Sequence, residues 1–92
     1  MAKSRASLII KGIVQGVNFR SYTQRQAQKY NLTGWVMNRP DGSIAAVFEG
    51  EEADVEAIVE WCRNGSPSAR VTELIAQPEE YKGEFSSFSV RY

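Results

Sequence analysis

From Gly12 to Arg20 the chain reads Gly-Ile-Val-Gln-Gly-Val-Asn-Phe-Arg, where an apolar stretch gives way to a helical pattern. A short loop that leads into a helix points unpaired backbone N–H groups outward. With the positive end of the helix dipole behind them, these groups make a cradle for an anion. Gly16 lets the backbone turn tightly or approach a bound group closely. Arg20, at the helix start, adds a planar and permanently charged fork matched to phosphate or carboxylate. The same residues would also make an ordinary strand-to-helix turn with a solvated arginine, and the loop alone does not separate the two readings.

The rest of the inventory restricts what such a site can do. The 92 residues include no histidine, which excludes a Ser-His-Asp triad, a His-paired cysteine nucleophile and imidazole metal sites. Cys62 is the one cysteine. Alone it can form neither an internal disulfide nor a thiolate-rich zinc site, which fits a reducing compartment. It falls in an apolar helical stripe and reads as a small core side chain. No metal and no cofactor are implied.

Lys and Arg total 11, as do Asp and Glu, for a net charge of zero. The charges are not mixed along the chain. Residues 1–40 carry Lys3, Arg5, Lys11, Arg20, Arg25, Lys29 and Arg39 with no acid (+7), and residues 41–92 carry four cations with all eleven acids (−7). That split fits an anion site in the basic half, a nucleic-acid or membrane patch, or a fold that mixes the halves until the field cancels. Zero net charge argues against a nucleic-acid surface. The longest apolar run, Ile44 to Phe48, is far too short to cross a bilayer. The segment after the positively charged start, Ala6 to Ile10, is short and interrupted for a signal-peptide core. One domain over residues 1–92, a monomer, a cytoplasmic location, no nucleic acid and no membrane contact are expected.

The elements that must position the loop follow from periodicity. Ser7–Val14 reads as a strand with Leu8, Ile10 and Val14 on one face. From Asn18 or Ser21, either of which would serve as N-cap, Phe19, Thr23, Ala27 and Tyr30 recur at helical spacing, and Ser21 with Gln24 fits a capping box. Gly34–Asn38 and Ser43–Glu49 read as strands joined by Arg39-Pro40-Asp41-Gly42, a hairpin signal because Pro presets φ and Gly accepts the left-handed conformation. Val55, Ile58, Val59 and Cys62 mark a second helix, with Glu51, Glu52 and Asp54 at its start and Arg63-Asn64-Gly65 as its stop. Val71–Ala76 and Ser87–Tyr92 read as strands, joined by a polar loop over Gln77–Glu84. The order β-α-β-β-α-β plus a last strand predicts an α+β, ferredoxin-like (split βαβ) fold, with a mostly antiparallel sheet and both helices on one face. This fold hosts several functions and does not decide among them.

The residues themselves carry a further clue. Gly12-Ile-Val-Gln-Gly-Val-Asn-Phe-Arg20 resembles the first signature of the acylphosphatase family, Gly-x-Val-Gln-Gly-Val-x-Phe-Arg, at every defined position. Gly34-Trp35-Val36-Met37-Asn38, followed at the right spacing by Gly42, Ile44 and Gly50, is similar to the second, Gly-aromatic-Val-x-Asn-x-x-x-Gly-x-Val-x-x-x-x-x-Gly, with Ile44 where Val is usual. Gly65-Ser66-Pro67, Ser68-Ala69-Arg70-Val71 and Phe88-Ser89-Val90 are also similar to the family. The likeness spans nearly the whole chain. It implies hydrolysis of a small-molecule acyl phosphate to carboxylate and inorganic phosphate, without metal. Arg20 matches the family's phosphate-binding arginine, Asn38 the asparagine that orients the attacking water, and the amides of Gln15, Gly16, Val17, Asn18 and Phe19 its phosphate cradle. The proton is expected to pass to the substrate phosphate itself.

Elementary chemistry agrees with that implication. A carboxylate leaves readily and needs little proton donation, so positioning and charge stabilisation suffice, and an enzyme without histidine is no contradiction. The Asn38 amide offers an acceptor and two donors, enough to hold a water but too weak for a general base. The competing expectation is a non-catalytic ferredoxin-like module that binds an anion or a partner. An RNA-binding version would need exposed aromatics with flanking cations on the central strands, and Ile44–Phe48 offers one aromatic and no cation. Arg39 is expected to be solvated in its turn, Thr23 to serve the helix or its packing, and Trp35 and Trp61 to belong to the core.

Overall fold

The computed structural model describes residues 2–92; Met1 lies outside them. Alternation along the first strand, β1 (Lys3–Ile13), fixes the buried face of the sheet: Ala6, Leu8 and Ile10 point into the core. The chain continues as α1 (Phe19–Lys29), β2 (Thr33–Asn38), β3 (Ile44–Glu51), α2 (Glu52–Cys62), β4 (Arg70–Glu79) and β5 (Phe88–Arg91). The sheet order is β4-β1-β3-β2-β5. All neighbours are antiparallel except β2 and β5, which run parallel. The expected α+β, ferredoxin-like fold with a mostly antiparallel sheet is therefore the observed one.

Both helices cover the same side of the sheet. Phe19 and Ala27 of α1 and Val55, Ile58 and Cys62 of α2 join Leu8, Ile10, Val36, Ala46, Phe48 and Phe88 in one core. Phe48 stacks on Phe88 at 5.3 Å between ring centroids, and Phe19 meets Trp61 edge to face at 5.8 Å. Each fully buried Leu, Ile or Phe of this core contributes about 1.5–3 kcal/mol. Cys62 is wholly buried, and burial pushes its thiol pKa up, as fits a packing side chain.

Several boundaries differ from the sequence expectation. β1 begins at Lys3 because Lys3, Ser4 and Arg5 pair with Glu51, Gly50 and Glu49. β4 runs on through Gln77, Pro78 and Glu79, which pair with Ser7, Ala6 and Arg5, so only residues 80–87 form the loop. The polar residues that suggest a loop there lie on an edge strand, where polarity is tolerated and a proline need not break a ladder. The expected helix capping is also corrected. Asn18 stands at the cap position of α1 but in the left-handed conformation (φ 61°), with no side-chain capping bond. Ser21 lies inside the helix, and Gln24 donates to the Phe88 carbonyl (3.4 Å) instead of closing a capping box.

Candidate active site

Three segments meet beyond the end of β1. The first is the loop of residues 14–18, which leads into α1. The second is the end of β2 with the β2–β3 turn, which carries Asn38. The third is the β5 end, with Val90 and Tyr92. Between them lies a cleft of about 120 Å³ lined by Val14, Gly16, Asn18, Phe19, Arg20, Ser21, Asn38, Val90 and Tyr92. Arg20 and Asn38, nearly twenty residues apart, thus share one cavity with the loop backbone. Gln15 and Val17 do not line it.

The loop is built to keep its amides free. Gly16 (φ 75°) and Asn18 (φ 61°) are both left-handed, and the residue between them is Val17. Alternation of this kind curls successive N–H groups around a concavity. Among the described residues, no protein acceptor receives an N–H from Gly16 to Ser21, whereas the carbonyl of Asn18 already accepts from Tyr22 (3.1 Å). A side chain added at Gly16 would meet no protein atom within 4 Å, so the space beside that glycine is open to a bound group.

Arg20 is half-buried. Its Nη1 donates to the Arg91 carbonyl (3.1 Å), and its guanidinium lies 4.6 Å from the centre of the Tyr92 ring. These contacts fix the fork without neutralising it. Of the seven cations in the basic half, Lys3 pairs with Glu51, Arg5 with Glu49, Glu79 and Glu84, and Lys11 with Glu73. Among the described residues, no carboxylate lies within ion-pair distance of Arg20, Arg25, Lys29 or Arg39. Folding therefore neutralises the basic half only in part, and the remaining charge includes the cleft arginine.

The hairpin that carries Asn38 forms as expected. Gly42 (φ 91°) closes the turn by donating to the Arg39 carbonyl (3.1 Å), and Arg39 N–H donates to Ser43 (2.8 Å). The Ser43 hydroxyl (2.6 Å) and N–H (3.0 Å) both donate to Asp41, holding its carboxyl below the usual range. Arg39 is half-buried and its side chain is not among the cleft residues. Thr23 is buried and donates to the Phe19 carbonyl (2.8 Å), a bond within the helix. Trp61 packs on Phe19 and Trp35 lies beneath Arg91, and neither lines the cleft.

Sequence reasoning missed two contacts that hold the loop. The Gln15 side chain, considered only for its amide, donates to the carbonyls of both Arg39 (2.8 Å) and Ser43 (2.9 Å). It thereby ties the loop to the hairpin that bears Asn38. The Ser66 hydroxyl, buried in the α2–β4 connection, donates to the Val17 carbonyl (2.7 Å). Next to it, Gly65 (φ 70°) lies so close to the Phe19 ring that any Cβ would overlap it. Gly65-Ser66-Pro67 is visible as a motif, but nothing in the sequence says what it touches.

A split βαβ sandwich of the ferredoxin-like class here gathers an arginine, an asparagine and a run of free amides around one small polar cleft, a set of donors suited to an anion. A family profile for acylphosphatases matches residues 6–90. An acylphosphatase of Geotalea uraniireducens is 52% identical over 90 residues, covering 98% of this chain and 99% of the relative, and one of Geobacter sulfurreducens is 50% identical, covering 98% and 99%. The crystal structure of the acylphosphatase from Bacillus subtilis superimposes with a TM-score of 0.93 at 37% identity, covering 97% of this chain and 99% of that one. The chain belongs to the acylphosphatase family and is an enzyme of that class, hydrolysing acyl phosphates to carboxylate and inorganic phosphate. No helix among the described residues is long and apolar enough to cross a membrane.

Proposed function

We propose that the phosphoryl group of a small acyl phosphate sits in the cleft, held by Arg20 and by the amides of the Gln15–Phe19 segment, and that Asn38 orients the attacking water. The observation that supports this reading is that Arg20 and Asn38 line one cavity of about 120 Å³ together with Gly16, Asn18 and Phe19, whose amides have no protein acceptor. The water oxygen attacks phosphorus, the bond from phosphorus to the acyl oxygen breaks, and the carboxylate departs with the electron pair. It needs no proton. The water's proton ends on inorganic phosphate, so Asn38 has only to align the water. Charge on the equatorial oxygens is met by fixed donors, which cost no reorganisation during the reaction.

The enzyme acts as one domain over residues 1–92, as a monomer in the cytoplasm, on a small molecule and not on nucleic acid. The test is hydrolysis of benzoyl phosphate in the presence of EDTA by the wild type, Arg20→Ala and Asn38→Ala. The wild type turns over without added metal, and both variants fold yet lose at least about a hundredfold in rate. Equal turnover by Arg20→Ala overturns the assignment.

A further inference from the structure

Ser66 lies in the connection between α2 and β4, far in sequence from every residue placed at the cleft, yet it is 2% exposed and its hydroxyl reaches the Val17 carbonyl at 2.7 Å. We infer that Ser66 is a positioning residue for the reaction, one that holds the Val17–Asn18 peptide with its N–H turned toward the bound phosphoryl group. This inference rests on the proposal that the loop amides bind phosphate.

Peptide geometry carries the argument. The chain has no cis peptide bond among the described residues, and in a trans peptide the C=O and N–H point in opposite directions. Ser66 draws the Val17 carbonyl into the protein body, so the Asn18 N–H faces the other way, and Asn18 is a cleft residue. Without that tie the peptide has a reason to turn over. Asn18 sits at φ 61°, a conformation that residues other than glycine adopt at a cost. A half-turn of the 17–18 peptide changes chiefly ψ of Val17 and φ of Asn18, and it would return Asn18 to negative φ. It would also aim a carbonyl dipole, negative end first, at the place an anion occupies. The Ser66 hydroxyl is thus the contact that opposes local backbone preference in favour of anion binding.

The test compares wild type, Ser66→Ala and Ser66→Thr by inhibition with inorganic phosphate and by the amide spectrum during a phosphate titration. Ser66→Ala should raise the inhibition constant about tenfold, the size of one hydrogen bond to a charged group, and the Asn18 amide should lose its phosphate-induced shift. Ser66→Thr keeps the hydroxyl and should stay within about threefold of wild type on the same scale. A merely structural role would lower the unfolding temperature and leave the inhibition constant and the Asn18 shift unchanged, and that result overturns the inference. If Ser66→Ala fails to fold, Ser66→Cys, nearly isosteric but a weak donor, is read by the same two criteria. A wild-type titration that moves no amide from Gly16 to Arg20 overturns the phosphate cradle itself and this inference with it. Normal wild-type shifts with an unaffected Ser66 variant overturn only the role of Ser66.

Discussion

Two runs of backbone N–H groups, each beside an arginine, stand at opposite ends of β1, and we compare them as a filled receptor and a proposed open one. At its start, the buried Glu49 carboxylate accepts three consecutive backbone N–H groups, from Lys82 (2.9 Å), Gly83 (3.2 Å) and Glu84 (3.2 Å), and the Arg5 guanidinium (3.2 Å). Beyond its other end, the run of N–H groups from Gly16 to Ser21 has no protein acceptor among the described residues, and Arg20 has no carboxylate partner. Each receptor joins a run of amides to an arginine. The first is filled by the protein's own carboxylate and closes the loop of residues 80–87 against the sheet. The second is left open. Residue type does not separate the two; what differs is that a protein carboxylate already satisfies the donors of one and leaves those of the other free for a ligand.

The largest expected contrast comes from exchanging the two arginines. Arg20→Ala should lower kcat/KM for benzoyl phosphate by about a thousandfold with an unchanged unfolding midpoint, and Arg20→Lys should also be severely impaired because an ammonium cannot reproduce the planar fork. Arg5→Ala should do the reverse. It leaves Glu49 buried without its ion-pair partner, costing about 3 kcal/mol in urea unfolding, while turnover per folded molecule stays at the wild-type value. An Arg5 variant that loses activity while fully folded would erase the distinction between the receptors.

The filled receptor should also govern acid stability. Burial alone would raise the Glu49 pKa, but the Lys82 amide, the Arg5 guanidinium and the Glu84 amide more than reverse this and hold it below the ordinary 4.5. Glu79, bonded by Arg5 and then Ser7, is lowered as well. A carboxylate whose folded pKa is depressed adds stability that is fully present above the unfolded value and is lost as pH falls through the folded one. Unfolding free energy should therefore fall below about pH 4.5, and Glu49→Gln should show a shallower decline from a lower starting value.

Smaller effects sharpen the open receptor. Gln15→Leu cuts the tie between the loop and the hairpin and should reduce kcat/KM about tenfold, a loss of one to two hydrogen bonds' worth of positioning. Raising ionic strength from 0.01 to 0.2 M should increase KM a few-fold through screening of Arg20 and of the other cations that have no carboxylate partner, and Arg39→Gln should weaken that dependence slightly.

Much of this was legible before the structure, and the rest has identifiable physical causes. Alternation put Leu8 and Ile10 on one face of the first strand, the face the core buries, and Pro40-Asp41-Gly42 announced the turn that follows Asn38. The strand over Gln77–Glu79 was hidden because an edge strand can be polar and contain proline. Asn18 resembled a capping residue, yet its conformation serves the curl of the loop and not a side-chain bond. The charge split was visible, but only the fold shows that Lys3, Arg5 and Lys11 are matched by acids of the second half while Arg20 is not. Gln15 and Ser66 act across 24 and 49 residues of sequence, distances over which no local pattern can reveal a partner.

The most direct measurement is a titration of the wild-type protein with inorganic phosphate followed by its amide spectrum. Saturable shifts should concentrate on Gly16 to Arg20, with the Lys82, Gly83 and Glu84 amides unmoved because Glu49 already occupies them. Shifts confined to other residues, or equal movement at both ends of β1, would contradict the account.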